Sequence, residues 1–383
     1  MVLWIYRHVR NLVGAVVALI GLVSTAEVWL KASRIYDAVE NKRETVSDLP
    51  GWMLPSGSTG WELPRAAKFD LPARSGGGSW STNSFGIRGP EVAVPKPGGV
   101  YRILCLGDET LLGPELGDDA LFAQQLQALL QQRTQYRIEV IAAPLPCGCP
   151  LSLAIHHRLH LTSLQPDLVL LQTSAGDVED DRTLRRWTIR DAAGLPLACV
   201  HPDLRGPKTE NLVAVCRSEF ALVDLCFEQL VKAGKRTGTG AGSVDRLGTL
   251  NQERVRECLL PTMQLAAHCE AAYSRLVVWF SPQVGTPEGL VQHREFISLA
   301  GAYFAEQRLP AVDVGGSFAE GMYAAKNRWT SAGHRRAAEV LAGQLIQNLP
   351  GPWSSPTSVP VAVPASYMAP AAGGIPEIRR AIR

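Results

Sequence analysis

The sequence has almost no bias of charge. Its 383 residues include 38 Lys and Arg against 36 Asp and Glu, and only 7% of the residues are aromatic. Nothing in the central part of the chain concentrates Lys and Arg, as the positive face of a nucleic-acid-binding protein would require. With 46% hydrophobic and 19% charged residues, the composition is that of a globular protein rather than a disordered or collagen-like one. We therefore expect no nucleic-acid partner.

Motifs for metal and redox chemistry are also missing. The eight cysteines include no C-x-x-C pair, which is the usual signature of a zinc or thioredoxin-type site. His156, His157 and His160 lie in a segment with helical periodicity, where His156 and His160 share one face. The run lacks the glutamate of His-Glu-x-x-His. We interpret these as surface or interface histidines, with metal binding as the weaker alternative, and predict no metal and no cofactor.

One long hydrophobic run stands near the N-terminus. Residues 11–26 carry no charge, and the apolar stretch continues at residues 28–30, approaching the length of about 20 residues that spans a bilayer. Arginines precede the run, which favours a cytoplasmic N-terminus. We predict that residues 1–34 form a transmembrane anchor, so that the protein is single-pass with its main domain on the extracytoplasmic side. A cleaved signal peptide is the alternative, because residues 24–26 are small.

The rest of the chain divides into three parts by composition. Residues 35–99 are a linker and lead-in segment, and residues 350–383 are rich in Pro and Ala and are predicted to be disordered. Residues 100–349 are the folded domain, with an inserted hairpin at residues 185–200 and a flexible glycine-rich loop at residues 234–246.

Within the folded domain, short apolar runs alternate with segments of helical periodicity. The predicted strands are residues 101–106, 137–142, 167–172, 275–280 and 311–314. The predicted helices are residues 122–130, 151–164, 296–307 and 331–346. This alternation predicts an α/β fold with a mostly parallel sheet covered on both faces. Ligands of such sheets bind beyond the carboxyl ends of the strands.

At those strand ends the chain resembles the SGNH, or GDSL, hydrolase family in its membrane-anchored bacterial form. Four sequence blocks follow the family's order after a lead-in segment, NSFGIRGPE at residues 83–91. The blocks are residues 101–108 (YRILCLGD), 138–146 (IEVIAAPLP), 170–177 (LLQTSAGD) and 322–334 (MYAAKNRWTSAGH). The resemblance implies the family's flavodoxin-like three-layer sandwich and a site at the carboxyl edge of its sheet.

The resemblance also implies that the family's catalytic positions are substituted. The positions of the nucleophilic serine, the two oxyanion donors, the aspartate and the general-base histidine are occupied by Glu109, Pro144, Gly176, Lys326 and Arg328. The retained neighbours are Gly107, Asp108, Asp177 and His334. Proline has no N–H to donate, and a guanidinium accepts no proton. The family's acyl-transfer mechanism therefore has no support here.

The substitutions exchange a neutral hydroxyl for an anion and the general base for a cation. They predict an ion pair between Glu109 and Arg328, with Lys326 or Asp177 close by. The function expected is that of a catalytically degenerate, membrane-tethered protein that binds or scaffolds at the cell envelope, with an acyl or glycan ligand. The alternative is an active ester hydrolase or O-acyltransferase on envelope glycans or lipids, using residues outside the alignment. Ser174 with His334 is a weak candidate for that role. The sequence identifies no protein partner.

Overall fold

The computed structural model describes residues 24–25, 50–71, 78–204, 250–282, 286–324, 328–349 and 351–353. The predicted anchor, apart from residues 24–25, and the glycine-rich loop lie outside the described residues, as do Lys326 and the predicted tail apart from residues 351–353. No helix in the described ranges combines the length and the apolar character needed to cross a bilayer.

The described secondary structure alternates strands and helices along the chain. The strands are β1 (Leu54–Pro55), β2 (Trp61–Glu62), β3 (Lys68–Asp70), β4 (Ser79–Ser81), β5 (Val100–Gly107), β6 (Arg137–Pro144), β7 (Leu168–Thr173), β8 (Thr188–Arg190), β9 (Pro196–Cys199), β10 (Arg275–Phe280), β11 (Ala311–Asp313), β12 (Tyr323–Ala324) and β13 (Arg328–Trp329). The helices are α1 (Glu109–Leu112), α2 (Phe122–Gln131), α3 (Pro150–His156), α4 (Asp177–Arg185), α5 (Gln252–Ala271), α6 (Pro287–Glu306) and α7 (Ser331–Asn348).

Five strands form the central sheet, in the order β11-β10-β7-β5-β6. All neighbouring pairs in it are parallel. When the five sheet strands are numbered along the chain and the sheet is read from the β6 edge, the order is 2-1-3-4-5, which is the flavodoxin-like arrangement. The predicted α/β fold with a parallel central sheet is thereby confirmed. The carboxyl ends of β5, β6 and β7 meet at one edge, which Glu109, Pro144 and Gly176 adjoin.

The sheet is buried on both faces because its strands are apolar at nearly every position. In β7, Val169 and Leu171 belong to the same core cluster as aromatic residues of α6. Leu168 and Leu170 point the other way and pack in a second cluster with residues of α2 and α7. Each fully buried aliphatic side chain contributes about 1.5–3 kcal/mol to stability, so the two clusters fix the layer order.

The predicted strands agree closely with β5, β6, β7, β10 and β11, whereas α6 already begins at Pro287, well before the predicted helix 296–307. The segment 151–164 is helical throughout, as α3 followed by a π turn (His157–Leu161) and a 3-10 turn (Thr162–Leu164). The inserted hairpin is formed by β8 and β9, which pair antiparallel. Helices α4 and α5 were not anticipated. Among the described cysteines, six are free thiols: Cys105, Cys147, Cys149, Cys199, Cys258 and Cys269.

The lead-in segment is an integral part of the domain, because it inserts the buried side chain of Arg88. The side chain of Arg88 is 3% exposed and contacts Asp118 at 2.7 Å. The guanidinium also donates to the carbonyl oxygens of Leu112, Gly113 and Leu116 and lies over the ring of Trp80. It thereby holds the loop that follows α1.

Replacing Arg88 should therefore destabilise the whole domain. Arg88→Met leaves several carbonyl oxygens without a donor, and we expect a loss of about 3 kcal/mol or more in the free energy of unfolding. Thermal and urea unfolding measure the loss. Arg137→Met, at an exposed arginine, is the matched control and should change stability by no more than about 0.5 kcal/mol. Equal effects of the two substitutions would contradict this role for Arg88.

Candidate functional site at the carboxyl edge of the sheet

Strands β5 and β6 place Gly107 and Pro144 side by side at the carboxyl edge, where they are register partners. A Cβ at Gly107 would lie 2.0 Å from Oε1 of Gln172, so this turn accepts only glycine. Asp108 follows and caps α1, since its Oδ1 accepts from the backbone N–H of Thr110 at 2.8 Å. In this chain, Gly107 and Asp108 of the first block thus have structural roles that are independent of catalysis.

Glu109, which the sequence resemblance aligns with the family's nucleophile, is held by the backbone. Its Oε2 accepts from the N–H of Cys147 at 3.0 Å. Cys147 stands just beyond Pro144 and has a positive φ of 51°, a left-handed conformation in which the N–H turns toward the carboxylate. Pro144 itself has no N–H to offer an oxyanion. The Cys147 N–H is already occupied by the Glu109 carboxylate.

Four carboxyl groups from two segments converge on this edge: Asp108, Glu109, Asp177 and Asp180. Burial raises the pKa of Glu109, and Asp108 raises it further. Burial also raises the pKa of Asp177 well above its ordinary value, again with a contribution from Asp108. The pKa of Asp180 rises to about 8 through burial and the nearby Glu109 and Asp108. The site therefore retains protons on some of its acids at neutral pH.

The predicted ion pair between Glu109 and Arg328 is wrong, because Arg328 pairs with a different carboxylate. Nη1 of Arg328 binds Oε1 of Glu115 at 2.9 Å, and its guanidinium faces the ring of Trp52. Arg328 still lowers the pKa of Glu109, but as the smallest of the contributions. The loop held by Arg88 presents Glu115 to Arg328, and nothing in the local sequence indicated this pairing across the domain. The Nε of Arg328 is buried with no hydrogen-bond partner among the described residues.

The third block supplies a structural contact rather than a nucleophile. Gly176 directly precedes α4 and supplies no side-chain donor. Asp177 is fully engaged by the segment before it: the Ser174 hydroxyl donates to Asp177 Oδ1 at 2.7 Å, and the Ser174 N–H donates to Oδ2. His334 lies elsewhere in the core, where its Nδ1 accepts from the backbone N–H of Phe122 at 3.1 Å. Ser174 and His334 therefore do not form a catalytic pair.

His334 is a buried, neutral imidazole. Burial lowers its pKa to about 3, and its ring packs against Trp329. A Cβ on Gly113 would lie 3.2 Å from its Nε2. His334 thus connects α7 to the start of α2 and to the end of α1, which is a packing role.

The three histidines of the second helical segment are more buried than expected. His156 and His160 have ring centroids 5.5 Å apart, as their spacing predicted. Burial lowers the pKa of His156 to about 3 and that of His157 to about 4. The described residues include no group of three His, Cys, Asp or Glu side chains arranged to hold a metal ion. Of the expected surface or interface positions, the surface is wrong for His156 and His157, because both are buried.

One serine and histidine pair was not anticipated. The hydroxyl of Ser58, in the turn between β1 and β2, lies 2.9 Å from Nε2 of His160. A cavity beside His160 reaches Pro144 and is also lined by Glu62 and Arg65. Ser58 and His160 are far apart in sequence, and no pattern around either residue predicts the contact.

The solved structures to which this chain is similar include lipolytic proteins. A lipase/acylhydrolase from Enterococcus faecalis is 10% identical, with a TM-score of 0.38, and the match covers 64% of this chain and 95% of that one. A member of the lipolytic protein G-D-S-L family from Veillonella parvula is 10% identical, with a TM-score of 0.38, covering 64% and 99%. A GDSL-like lipase from Bacteroides thetaiotaomicron is 10% identical, with a TM-score of 0.36, covering 66% and 91%.

The chain is similar to GDSL hydrolases in fold. At these identities the similarity concerns the fold alone. No protein-family model and no curated protein sequence matches the chain. The GDSL-like sheet brings Glu109, Pro144 and Asp177 to one edge. Asp180 belongs to the site as well, and the acidic run directly after the third block could have indicated it.

The raised pKa of Asp180 predicts a specific dependence of stability on pH. In the unfolded chain this carboxyl loses its proton near pH 4, whereas in the folded protein it does so near pH 8. Between these values the folded state binds more protons, so this group destabilises the fold increasingly as pH rises. Asp180→Asn should therefore raise Tm, by more at pH 9 than at pH 5. Differential scanning calorimetry measures both values.

The matched control is Asp119→Asn, at an exposed aspartate. This substitution should shift Tm little, and by similar amounts at the two pH values. If Asp180→Asn shows no greater stabilisation at pH 9 than at pH 5, Asp180 titrates as an ordinary surface carboxyl and does not belong to a buried acid cluster.

Proposed function

We propose that this GDSL-like domain is a catalytically degenerate protein that binds or scaffolds at the cell envelope. The observation that carries the proposal is the state of Glu109. It replaces the nucleophile and accepts a hydrogen bond from Cys147 N–H, while Arg328, in the place of the base, is paired with Glu115. No imidazole in the described part of the chain contacts Glu109.

The proposal follows from what acyl transfer requires. A serine-type mechanism needs a nucleophile, a neutral base within hydrogen-bond reach and donors directed at the developing oxyanion. Arg328 cannot accept a proton, and Pro144 has no N–H. Since losing a single oxyanion donor costs about 100- to 1000-fold in turnover, the combined losses leave no turnover by this route.

The carboxyl groups support a ligand rich in hydrogen-bonding oxygens. A protonated carboxyl donates one hydrogen bond and still accepts others, and a pKa of about 8 keeps a proton on Asp180 at neutral pH. Hydroxyl and carbonyl oxygens of a glycan or an acyl ester are suitable partners for such donors. An acyl or glycan ligand thus remains the one we propose, held without being cleaved.

Labelling with a fluorophosphonate tests the absence of turnover. This probe forms a covalent adduct only with an activated serine, so we expect the full chain to remain unmodified by mass spectrometry. Hydrolysis of acetyl and short-chain acyl esters should not exceed that of the Glu109→Ala variant. Ester hydrolysis that Glu109→Ala abolishes would contradict the proposal, because it would place chemistry at the strand-end site.

A second candidate function is an ester hydrolase or acyltransferase built on Ser58 and His160. The 2.9 Å contact between the Ser58 hydroxyl and the His160 imidazole favours it, because burial lowers the pKa of His160 and keeps the ring neutral. Two observations weigh against it. The backbone N–H groups of Ser58 and Thr59 both donate to Ser56 Oγ, which leaves neither for an oxyanion. The adjoining cavity measures about 10 Å³, room for about one water molecule.

The same labelling experiment separates this second candidate from the first. An adduct that maps to Ser58 and disappears in both Ser58→Ala and His160→Gln would establish the hydrolase and overturn the proposal of a degenerate enzyme. An adduct at Ser58 that survives His160→Gln would show an accessible hydroxyl without an activating base.

We also propose that the N-terminal apolar run tethers the domain to the membrane, with the domain on the extracytoplasmic side. Its support is the sequence pattern. The intact mass of the protein isolated from membranes should include Met1, and alkaline carbonate should not release it. A mature chain that begins after Ala26 would instead establish the cleaved signal peptide.

A further inference from the structure

Four of the eight histidines in the sequence meet where the helical segment after β6 packs against α5. His156 ends α3, and His157 and His160 belong to the π turn that follows it. His268 lies in the last turn of α5, and its ring centroid is 5.3 Å from that of His157, in an edge-on arrangement. π turns are rare and often occur at functional sites. This one forms a histidine cluster across the interface of two helical elements.

The two inner histidines of the cluster have ring nitrogens without protein partners. His157 is 1% exposed, and neither of its ring nitrogens has a hydrogen-bond partner among the described residues. His156 is 8% exposed, and its Nδ1 also lacks one there. Protonating such a ring would bury both a charge and an N–H donor that has no acceptor, which is unfavourable. Both rings are therefore neutral while the interface is closed.

The charges around His156 also oppose its protonation. Burial is the main cause that lowers the pKa of His156 to about 3, and His160, His157 and Arg65 lower it further. Arg65 belongs to the lead-in segment, between β2 and β3. The acid Glu62 of that segment raises the pKa of His160, but burial and Arg65 outweigh it.

The surroundings of His157 have the same effect. Burial lowers the pKa of His157 to about 4, with a smaller contribution from His268 on α5. The pKa of His268 is itself lowered by burial and by Arg158 of the π turn. Strand β9, which also packs against α3, carries no acidic or basic side chain. Helix α4 contributes Asp181, which acts on Cys149 at the opposite end of α3.

These surroundings couple the interface to pH. In an opened interface the hydrated rings would take up protons near pH 6.5, whereas in the closed one His157 does so only near pH 4. Between these values the open form binds more protons, so the closed form is fully favoured above about pH 6.5 and loses stability as pH falls. For His157 alone, this linkage increases the opening equilibrium about 30-fold at pH 5.

We propose that the histidine cluster is an acid-sensitive switch, in which protonation of His156 and His157 separates the π turn from α5 while the central sheet stays folded. The contact between the Thr162 hydroxyl and the His268 ring, 3.2 Å long, joins the two elements and breaks in the same movement. The proposal is independent of the degenerate strand-end site, since none of these histidines contacts Glu109 within the described ranges.

Thiol labelling of the full chain in detergent tests the switch. Cys269 follows His268, is 0% exposed and packs in the same core cluster as Leu161 and Leu164, so it becomes reactive when the interface opens. 2,2′-Dipyridyl disulfide labels thiols at acid as well as neutral pH, and mass spectrometry of peptic peptides identifies the labelled cysteine. Each rate is divided by that of the urea-unfolded chain at the same pH, which removes the pH dependence of the reaction itself.

We expect the relative rate at Cys269 to rise at least about tenfold between pH 7.5 and pH 5. Cys105, which is fully buried in β5, should stay protected, because the central sheet remains folded.

Two variants assign the rise to the cluster. His157→Leu removes a titrating ring without removing a hydrogen bond, and should reduce the rise at least about fivefold. Arg65→Glu, at an exposed position, places an anion near His156 and should reduce the rise about threefold. His293→Gln, at a buried histidine of α6, is the matched control and should leave the rise unchanged.

The proposal is overturned if Cys269 stays protected at pH 5, or if Cys105 becomes reactive together with it, which would mean that the whole domain unfolds in acid. It is also overturned if neither His157→Leu nor Arg65→Glu reduces the rise. Should His157→Leu fail to fold, Arg65→Glu alone decides. The strand-end site is tested separately by ester hydrolysis and probe labelling, so the two proposals can fail independently.

Discussion

The guanidinium of Arg88 is the contact on which the architecture of the strand-end site depends. It comes from the lead-in segment, and it donates to Asp118 and to the carbonyl oxygens of the loop after α1. Because that loop carries Glu115, its position decides which anion Arg328 meets. The lead-in residues are therefore more than a linker: their buried arginine sets the electrostatics at the opposite side of the site.

The charged groups at this edge of the sheet are neutralised in two ways, by an ion pair and by protonation. Arg328 is neutralised by an ion pair with Glu115, which lies at the partly exposed rim. Among the inner carboxyl groups, burial raises the pKa of Glu109 and Asp180, and the pKa of about 8 keeps a proton on Asp180 at neutral pH. Burying an ionised carboxylate costs several kcal/mol, so protonation is the cheaper outcome when no cation reaches the group. A buried pair between Glu109 and Arg328 would have required desolvating both partners.

The sequence was sufficient to predict the central sheet, because each strand is indicated by the residues of its own short segment. Apolar runs such as residues 101–106 and 275–280 predict buried strands wherever they occur, and parallel pairing follows from their alternation with helices. Contacts between residues that are far apart in the sequence could not be predicted from it. Glu115 meets Arg328 only through a loop placed by Arg88, and Ser58 meets His160 only because β1 and β2 fold against the second helical segment. Helix α5 was missed since Pro261 interrupts its pattern and its hydrophobic face is weak.

In helix α4, burial has a larger effect on the pKa of Asp180 than the helix dipole has. Asp177, Glu179 and Asp180 occupy its first turn and Arg182 and Arg185 its last, a distribution that suits the helix dipole and is worth at most about 1 kcal/mol per exposed charge. That is less than one pKa unit, which corresponds to about 1.4 kcal/mol. The pKa of Asp180 nevertheless rises from 3.8 to about 8, in the direction opposite to the dipole. Desolvation and the neighbouring acids therefore dominate. Toward the sheet edge, burial and the neighbouring Glu109 and Asp108 therefore keep a proton on Asp180 up to about pH 8.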